Sequence, residues 1–224
     1  MSDFQQRLQV ELPSASKIFT PVVTTFLILY VAGYAMMAHL GEFTVNFLAL
    51  SPPGVFSGKV WQLVTYSFIN GCTRGLIFDG LVLLFFGSML ERHWKSGPLV
   101  MLWLVSTVIC GIVWVVVSFI FRMGFTGVGS GPFSYAIIAA FGIQFRKQKM
   151  FAYFWTLEAQ FVALLLIIAG LVLNIAQPIY WIFVGGAAVG YFFVKFREKN
   201  PFFRSGRRQV KEHSVRSSGF VDLD

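Results

Sequence analysis

The sequence predicts an all-α integral membrane protein, a bundle of six transmembrane helices with both termini on the cytoplasmic side. The first observation is composition: the 224 residues are 56% hydrophobic and 12% charged, with a mean hydropathy of +0.70. Average chains carry about 25% charged residues, so this chain lacks the polar surface that a soluble fold needs. Its Phe-rich apolar content also excludes a disordered chain. The other two observations are the length of the apolar runs and the uneven placement of lysine and arginine.

Apolar runs of about 17 to 25 residues are typical of helices that cross a bilayer. The sequence contains five runs that are long enough or nearly so, and one that is too short to cross alone. In chain order the six runs are Ile18 to Leu40, Leu76 to Leu90, Leu99 to Phe121, Phe133 to Phe145, Phe154 to Ile175 and Ile179 to Val194. The first run lacks a preceding basic cluster and a small-residue cleavage site, which predicts a retained helix rather than a signal peptide.

Lysine and arginine are distributed unevenly between the two sides that six spans define. With the N-terminus inside, only Lys59, Arg74 and Arg122 of the 18 basic side chains lie outside. Because basic loops are retained in the cytoplasm, this bias predicts cytoplasmic termini and an even number of spans. The connection 41–75 is rich in apolar side chains, which predicts a structured outer loop lying on or partly in the membrane surface.

The chain divides into an N-terminal cytoplasmic segment (1–17), a membrane domain (18–195) and a basic cytoplasmic tail (196–224). The tail has two interpretations, attraction to anionic lipid headgroups together with a role in topology, or docking of a partner protein. In so apolar a chain the net charge of +8 predicts no nucleic-acid partner. Cys72 and Cys110 have neither metal-site nor redox spacing, and both are predicted to be buried apolar side chains.

A glycine-rich stretch, 124–132, leads into the short fourth run. Backbone within the membrane's depth is tolerated only where protein or a water-filled cavity surrounds it, so a helix N-terminus should open inside the bundle. Its free N–H groups, with Ser130 or Ser134 beside them, could stabilise an oxyanion and present a hydroxyl nucleophile. The alternative is that Ser134 merely caps the helix. Gly186 and Gly190 predict the close approach of another helix, the one that carries Ser134.

Three local patterns, taken together and in order, resemble the rhomboid superfamily of intramembrane serine proteases across residues 18–195. They are Trp61-Gln62 followed by Asp79 and Glu91, then the run Ser134 to Gly142, then Gly186 with Gly190. The spacing within the first pattern fits the family without a gap. The resemblance implies a six-helix fold in which Ser134, rather than Ser130, stands at the position of the nucleophile.

The resemblance also implies that the residues of proteolysis are missing. Against the family's HxxGxxxG motif, Phe183 takes the place of the catalytic histidine, and phenylalanine cannot accept a proton. The chain's histidines are His39, His93 and His213, and none is expected to face Ser134. Further replacements are Gly75 for the oxyanion-hole histidine, Asp79 for the asparagine, Gln62 for the arginine after Trp61, and Pro132 for the glycine of the serine motif. The interpretation is therefore a rhomboid-like pseudoprotease with a vestigial site at Ser134, Ser130, Phe183, Asp79 and Gly75.

Asp79 is the leading functional candidate, because an acidic side chain within a span is costly to bury. Its expected partners are the hydroxyl of Ser134 or Ser130, or N–H groups of the glycine-rich loop. The alternative is a protonated, structural aspartic acid. Glu91 is expected to bond backbone or loop groups at the inner end, a structural role shared with the packing glycines Gly186 and Gly190. The candidate binding residues are Asp79, Gly129, Gly131, Trp61 and Gln62.

The sequence leaves three functions open. The first, implied by the resemblance to inactive relatives such as derlins and inactive rhomboids, is binding of the transmembrane segments of partner proteins without cleavage. The second is an active intramembrane serine protease with an atypical base such as Asp79, and the third is a structural subunit of a larger membrane complex. No cofactor or metal ion is predicted. The compact six-span form favours a bacterial plasma membrane, with an endoplasmic reticulum or Golgi membrane as the alternative.

Overall fold

The computed structural model describes residues 19–122, 126–146, 149–152, 155–173 and 179–199, with the backbone alone at 149–152, 155–157, 171–173 and 179–184. This part of the chain is mostly helical, and three helices, Pro21–His39, Thr73–Trp94 and Ser96–Ile120, are long and apolar enough to cross a membrane. The prediction of a helical membrane protein is confirmed at this level. The elements are α1 Pro21–His39, α2 Gly41–Phe47, α3 Pro52–Phe56, α4 Gln62–Thr65, a 3₁₀ turn Tyr66–Phe68, α5 Thr73–Trp94, α6 Ser96–Ile120, α7 Gly131–Gln144, β1 Lys149–Ala152, β2 Trp155–Glu158, α8 Ala159–Leu173 and α9 Ile179–Lys199.

The predicted fifth run is wrong at its start. Strands β1 and β2 form an antiparallel hairpin in which Lys149 pairs with Glu158, so helix α8 begins only at Ala159. The strand residues include Trp155 and Thr156, and aromatic and β-branched side chains favour strands. A short apolar run does not by itself distinguish a strand from a helix.

Helix α7 lies at the centre of the molecule. Its residues 131–138 and 140–142 are all buried, as expected for a helix that is apolar on every face. At 14 residues it is about 21 Å long, shorter than the roughly 30 Å hydrocarbon core. Its first turn contacts Asp79, six residues into α5, and therefore lies about 9 Å inward from the outer end of α5.

Helix α9 packs on α7 through two glycines. A Cβ atom at Gly186 would collide with the carbonyl oxygen of Pro132, and one at Gly190 with that of Ala136. The two contacts advance by four residues on each helix, so α9 runs parallel to α7. Both glycines therefore lie on the face that approaches α7, the helix that carries Ser134.

Helix α8 packs on another face of α7 and runs in the opposite direction. Gly142, near the end of α7, contacts Ala163, while Gly170 contacts Tyr135 near the start of α7. The contacts with α8 and α9 together account for the burial of two sides of α7.

Glu91 ties together three helices at the inner end of the bundle. Its carboxylate accepts hydrogen bonds from the Thr20 hydroxyl, from the N–H groups of Val22 and Val23 (both 3.1 Å), and from Ser96 Oγ (2.7 Å). It thereby binds the first turn of α1, where a negative charge also complements the helix dipole, and the first turn of α6.

A second inner contact joins α5, α7 and α9. Trp94 Nε1 donates to Gln144 Oε1 at 3.0 Å, and the guanidinium of Arg197 lies 4.6 Å from the centre of the Trp94 ring. The distance is within the range of a cation–π contact. The ends of these three helices are therefore held at one level.

The outer loop is structured rather than a free linker. Trp61 Nε1 donates to the carbonyl of Phe47 at 2.9 Å, and Thr65 Oγ1 donates to that of Leu48 at 2.8 Å. Cys110 is buried, but the prediction for Cys72 is wrong, because this thiol is exposed. The sulfur of Cys72 accepts a hydrogen bond from the Gly75 N–H at 3.4 Å and so caps α5. Because this end of α5 is exposed, the capping thiol is exposed as well.

Substitution of Glu91 tests the inner anchor. Glu91→Ala should lower the free energy of unfolding by about 2–4 kcal/mol, because the buried helix N-terminus loses its acceptor. Thermal unfolding in detergent measures the change, with the exposed acid Glu42→Ala as the matched control. Equal midpoints for the two variants would contradict this anchoring role.

Adjacent glycines of α9 provide a second test. Gly186→Ala should cost about 1–3 kcal/mol, since its Cβ would collide with backbone of α7. Gly185→Ala should be tolerated, because its Cβ would be 3.7 Å from Cys110 Sγ, an ordinary contact. Thermal unfolding midpoints of the two variants measure the difference. A lower midpoint for Gly185→Ala than for Gly186→Ala would show that the packing register is wrong.

Candidate functional site

The polar centre of the bundle is the carboxyl group of Asp79. Ser130 Oγ donates to Asp79 Oδ2 at 2.5 Å, and Ser134 Oγ donates to Asp79 Oδ1 at 2.7 Å. The backbone N–H of Ser130 lies close to this carboxyl group. The three side chains are buried. Asp79 therefore has the partners that the sequence proposed for it, and both serines serve as donors.

Asp79 provides from α5 the cap that α7 lacks within its own sequence. Ser130 stands at the N-cap of α7, but no side chain of this helix caps its first turn. The N-terminus of a helix carries unsatisfied N–H groups and a partial positive charge, and it favours a carboxyl group. Asp79 thus occupies the place where an anion would bind. The alternative prediction, that Ser134 caps its own helix, does not hold, because its hydroxyl donates to Asp79.

The loop before α7 is fixed by the outer loop. Leu50 and Gly127 exchange two backbone hydrogen bonds, of 2.9 and 2.7 Å, and the Gly129 N–H donates to the carbonyl of Tyr66 at 3.1 Å. Gly129 has a φ of +120°, a conformation that side chains strongly disfavour. These contacts determine where Ser130 begins the helix.

Tyr66 secures this arrangement against α6. Its hydroxyl donates to the carbonyl of Thr107 at 2.8 Å. Burial raises the pKa of Tyr66 above its ordinary value, so the hydroxyl stays protonated and remains a donor. The contact links the glycine-rich loop, through Gly129 and Tyr66, to a spanning helix.

Tyr30 of α1 completes the cluster and was missed by the sequence reasoning. Its side chain is 1% exposed, and its hydroxyl lies near Ser130 and Asp79 without a hydrogen-bond partner among the described residues. A tyrosine in the middle of an apolar span was the available signal. Because its ring also contacts Phe68, with centroids 6.1 Å apart, Tyr30 connects the cluster to the 3₁₀ turn.

Gly75 lies one turn before Asp79 on α5 and presents no side chain. A Cβ there would be 3.3 Å from Cys72 Sγ and 3.8 Å from Asn70 Oδ1. Asn70 is buried, and its Nδ2 has no hydrogen-bond partner among the described residues. Beside Gly75 there is therefore a polar amide but no imidazole.

The structure does not bring every candidate binding residue to Asp79. Gly131, the first residue of α7, is buried at the cluster, whereas Trp61 and Gln62 make their contacts within the outer loop. Gln62 is buried and accepts hydrogen bonds from the N–H and hydroxyl of Ser51, both at 3.3 Å. Trp61 and Gln62 thus hold the outer loop together.

The two described histidines lie far from the serines. His93 Nε2 is 3.0 Å from the Nε2 of Gln144, which is ten residues and about 15 Å beyond Ser134 along α7. His39 ends α1, nine residues and about 14 Å beyond Tyr30. His213 lies outside the described residues.

Phe183 belongs to the backbone of α9, but its side chain lies outside the described part of the structure. It precedes Gly186, the glycine against Pro132, by about one turn. Among the described residues, no three His, Cys, Asp or Glu side chains come together as metal ligands would.

A family described as eukaryotic integral membrane protein (DUF1751) matches residues 18–214. The chain belongs to this family. It is also similar to Rhomboid protease GlpG of Haemophilus influenzae, with 27% identity over 130 residues, which are 58% of the chain and 62% of that relative. The chain thus spans less than two thirds of the relative's length. Together, the two similarities confirm the rhomboid-like resemblance of this membrane protein family.

Paired serine variants test the Asp79 cluster in this family member. Ser130→Ala should lower the free energy of unfolding by about 1–3 kcal/mol, because a buried carboxyl group loses a short hydrogen bond. Ser118→Ala is the matched control, since Ser118 is equally buried but its hydroxyl has no partner among the described residues. Thermal unfolding in detergent measures both variants. Equal unfolding midpoints would contradict the hydrogen-bonded cluster at Asp79.

Proposed function

We propose that this protein is an inactive, rhomboid-like member of its family that binds transmembrane segments of partner proteins without cleaving them. The observation that carries the proposal is the position of Asp79, whose carboxyl group accepts hydrogen bonds from the hydroxyls of both candidate nucleophiles at the N-terminus of α7. A carboxyl group of the chain itself fills the place that a reaction's oxyanion would need.

Serine hydrolysis would face two obstacles here. The hydroxyl must transfer its proton to a base, and the described part of the site offers a carboxyl group that already accepts two hydrogen bonds but no imidazole. The developing oxyanion would also lie close to the carboxyl group of Asp79, and two negative charges in one buried site repel each other. Both effects favour binding over catalysis.

The face proposed for a partner helix is the outer half of α5. Ile77, Phe78 and Leu81 are exposed there, whereas Asp79 and Val82 are the buried members of this segment. Helix association in membranes depends on close packing and interhelical hydrogen bonds rather than on a hydrophobic driving force. A client that packs on this face would contact the helix that carries Asp79, on the side opposite its buried carboxyl group.

We further propose six spans with both termini in the cytoplasm. In support, the start of α1 at Thr20 and the inner end of α5 meet at Glu91, and Arg197 of α9 lies over Trp94 at the same end. The basic tail would then meet anionic lipid headgroups. The eukaryotic family description favours an internal membrane, such as the endoplasmic reticulum or Golgi, over the bacterial plasma membrane.

The second candidate is an active protease in which Asp79 serves as the base. One observation favours it, the 2.7 Å distance between Ser134 Oγ and Asp79 Oδ1, which is within reach for proton transfer. The similarity to a rhomboid protease supports the same class of activity.

A fluorophosphonate probe distinguishes the two candidates. We expect the purified protein to remain unlabelled at Ser130 and Ser134, because within the described part of the chain neither hydroxyl has an imidazole to activate it. Mass spectrometry locates any adduct, and a known active serine hydrolase in the same detergent controls for probe quality. Labelling that disappears in Ser134→Ala and in Asp79→Asn would establish the protease instead.

A photo-crosslinking amino acid tests client binding in native membranes. Placed at Ile77, on the outer half of α5, it should form adducts that map to transmembrane segments of other proteins. The matched position is Ile112 of α6, which is similarly exposed (47% against 56%) and should meet lipid. Equal yields of protein adducts at both positions would refute the binding face on α5. Adducts to a single partner in an assembly of fixed size would instead favour a structural subunit of a larger membrane complex.

A further inference from the structure

Helix α5 contains one wide turn. The N–H of Ser88 donates to the carbonyl of Leu83, five residues earlier, so residues Leu83–Gly87 form a π-helical turn between two regular segments. Such a turn holds one more residue than an α-helical turn, and π turns occur frequently at functional sites.

The extra residue determines which way the two acids of α5 face. Asp79 and Glu91 are twelve residues apart, and a regular helix rotates by about 100° per residue, which would leave them about 120° apart around the axis. One residue accommodated in the wide turn removes about 100° of this rotation and leaves about 20°. The turn therefore directs both acids toward the interior.

Burial along α5 shows the same geometry. Asp79, Leu83, Gly87 and Glu91 are all buried, at intervals of four residues. In a regular helix such a series would drift around the axis by about 40° per step. Gly87 also lets α5 approach α1, since a Cβ there would be 3.5 Å from Val23 Cγ2 and 2.9 Å from Leu83 Cδ1.

The two halves of α5 are held very differently. The inner half buries Leu90, Glu91 and Trp94, and Glu91 bonds two other helices. The outer half buries Asp79 and Val82, and three of its apolar side chains are exposed. In lipid, rotation of the outer half exchanges one apolar face for another. The hydrogen bonds of Asp79, together with the 2.7 Å contact between Thr73 Oγ1 and the Tyr34 hydroxyl of α1, restrain this rotation.

We propose that the Leu83–Gly87 turn is a register switch for the Asp79 contact. With the turn wide, Asp79 caps α7 through Ser130 and Ser134. When the turn tightens into a regular α-helix, the outer half of α5 rotates by about 100° and carries Asp79 away from both serines, leaving the N-terminus of α7 open. The switch goes beyond client binding and requires no client.

Deletion of Phe85 from the full-length chain tests the switch. The deletion leaves eleven residues between Asp79 and Glu91, so a regular helix directs both inward without a wide turn. Phe85 is 55% exposed, and Phe85→Ala controls for loss of its side chain. Deletion of Ile109, 45% exposed in the regular helix α6, controls for loss of a residue from a span.

Two measurements follow. The unfolding midpoint of the Phe85 deletion should stay within about 3 °C of that of Phe85→Ala, whereas the Ile109 deletion should lose its folded transition. The second measurement uses a Cys72→Ser, Cys110→Ala background, in which Ser130→Cys supplies the thiol that reacts with methyl methanethiosulfonate. This thiol should react at least about five-fold more slowly in the Phe85 deletion than in Phe85→Ala, because the shortened α5 keeps Asp79 beside residue 130.

Either of two results overturns the switch. If the Phe85 deletion unfolds like the Ile109 deletion, the wide turn does not hold an extra residue in the proposed register. If the thiol reacts equally fast, or faster, with the Phe85 deletion, the turn does not open in the unmodified chain. Neither result bears on whether the protein binds clients.

Discussion

The contact between Asp79 and the first turn of α7 is the constraint on which the rest of the structure depends. It places a buried carboxyl group, two serine hydroxyls and a helix N-terminus together in the middle of an apolar bundle. Burying any one of these groups without the others would be costly. The outer loop fixes the start of α7, the glycines of α9 let that helix pack against it, and the wide turn of α5 directs Asp79 toward it.

The same contact connects the family's fold with the proposed function. A helix that opens inside a membrane protein offers N–H donors where a hydrolase would stabilise an oxyanion. Here a carboxyl group of the protein already bonds the two serine hydroxyls at this helix start. The described histidines are distant, because His93 contacts Gln144, about 15 Å beyond Ser134 along α7, and His39 ends α1 about 14 Å beyond Tyr30. What remains is a buried polar site on α5, a helix whose opposite face is apolar and exposed and suits contact with another helix.

Much of this arrangement follows from the sequence. In a membrane protein, a long apolar run predicts a spanning helix, and a single acid within such a run predicts a buried polar contact. The helices, the role of Glu91, the partners of Asp79 and the glycine face of α9 all depend on local spacing. The hairpin at Lys149, the exposed thiol of Cys72 and the loop contacts of Gln62 depend on tertiary context that spacing does not encode. The wide turn did have a signal, the four-residue interval between Asp79, Leu83, Gly87 and Glu91, which a regular helical period does not explain.

The most direct test of the central contact is a double-mutant cycle between α5 and α7. The free energy of unfolding would be measured for the unmodified protein, Asp79→Asn, Ser134→Ala and the double variant in the same detergent. The structure predicts a coupling energy of about 1–3 kcal/mol between the two side chains, since they share a buried hydrogen bond. Additive effects, with a coupling energy near zero, would contradict the assignment of Asp79 as the cap of α7.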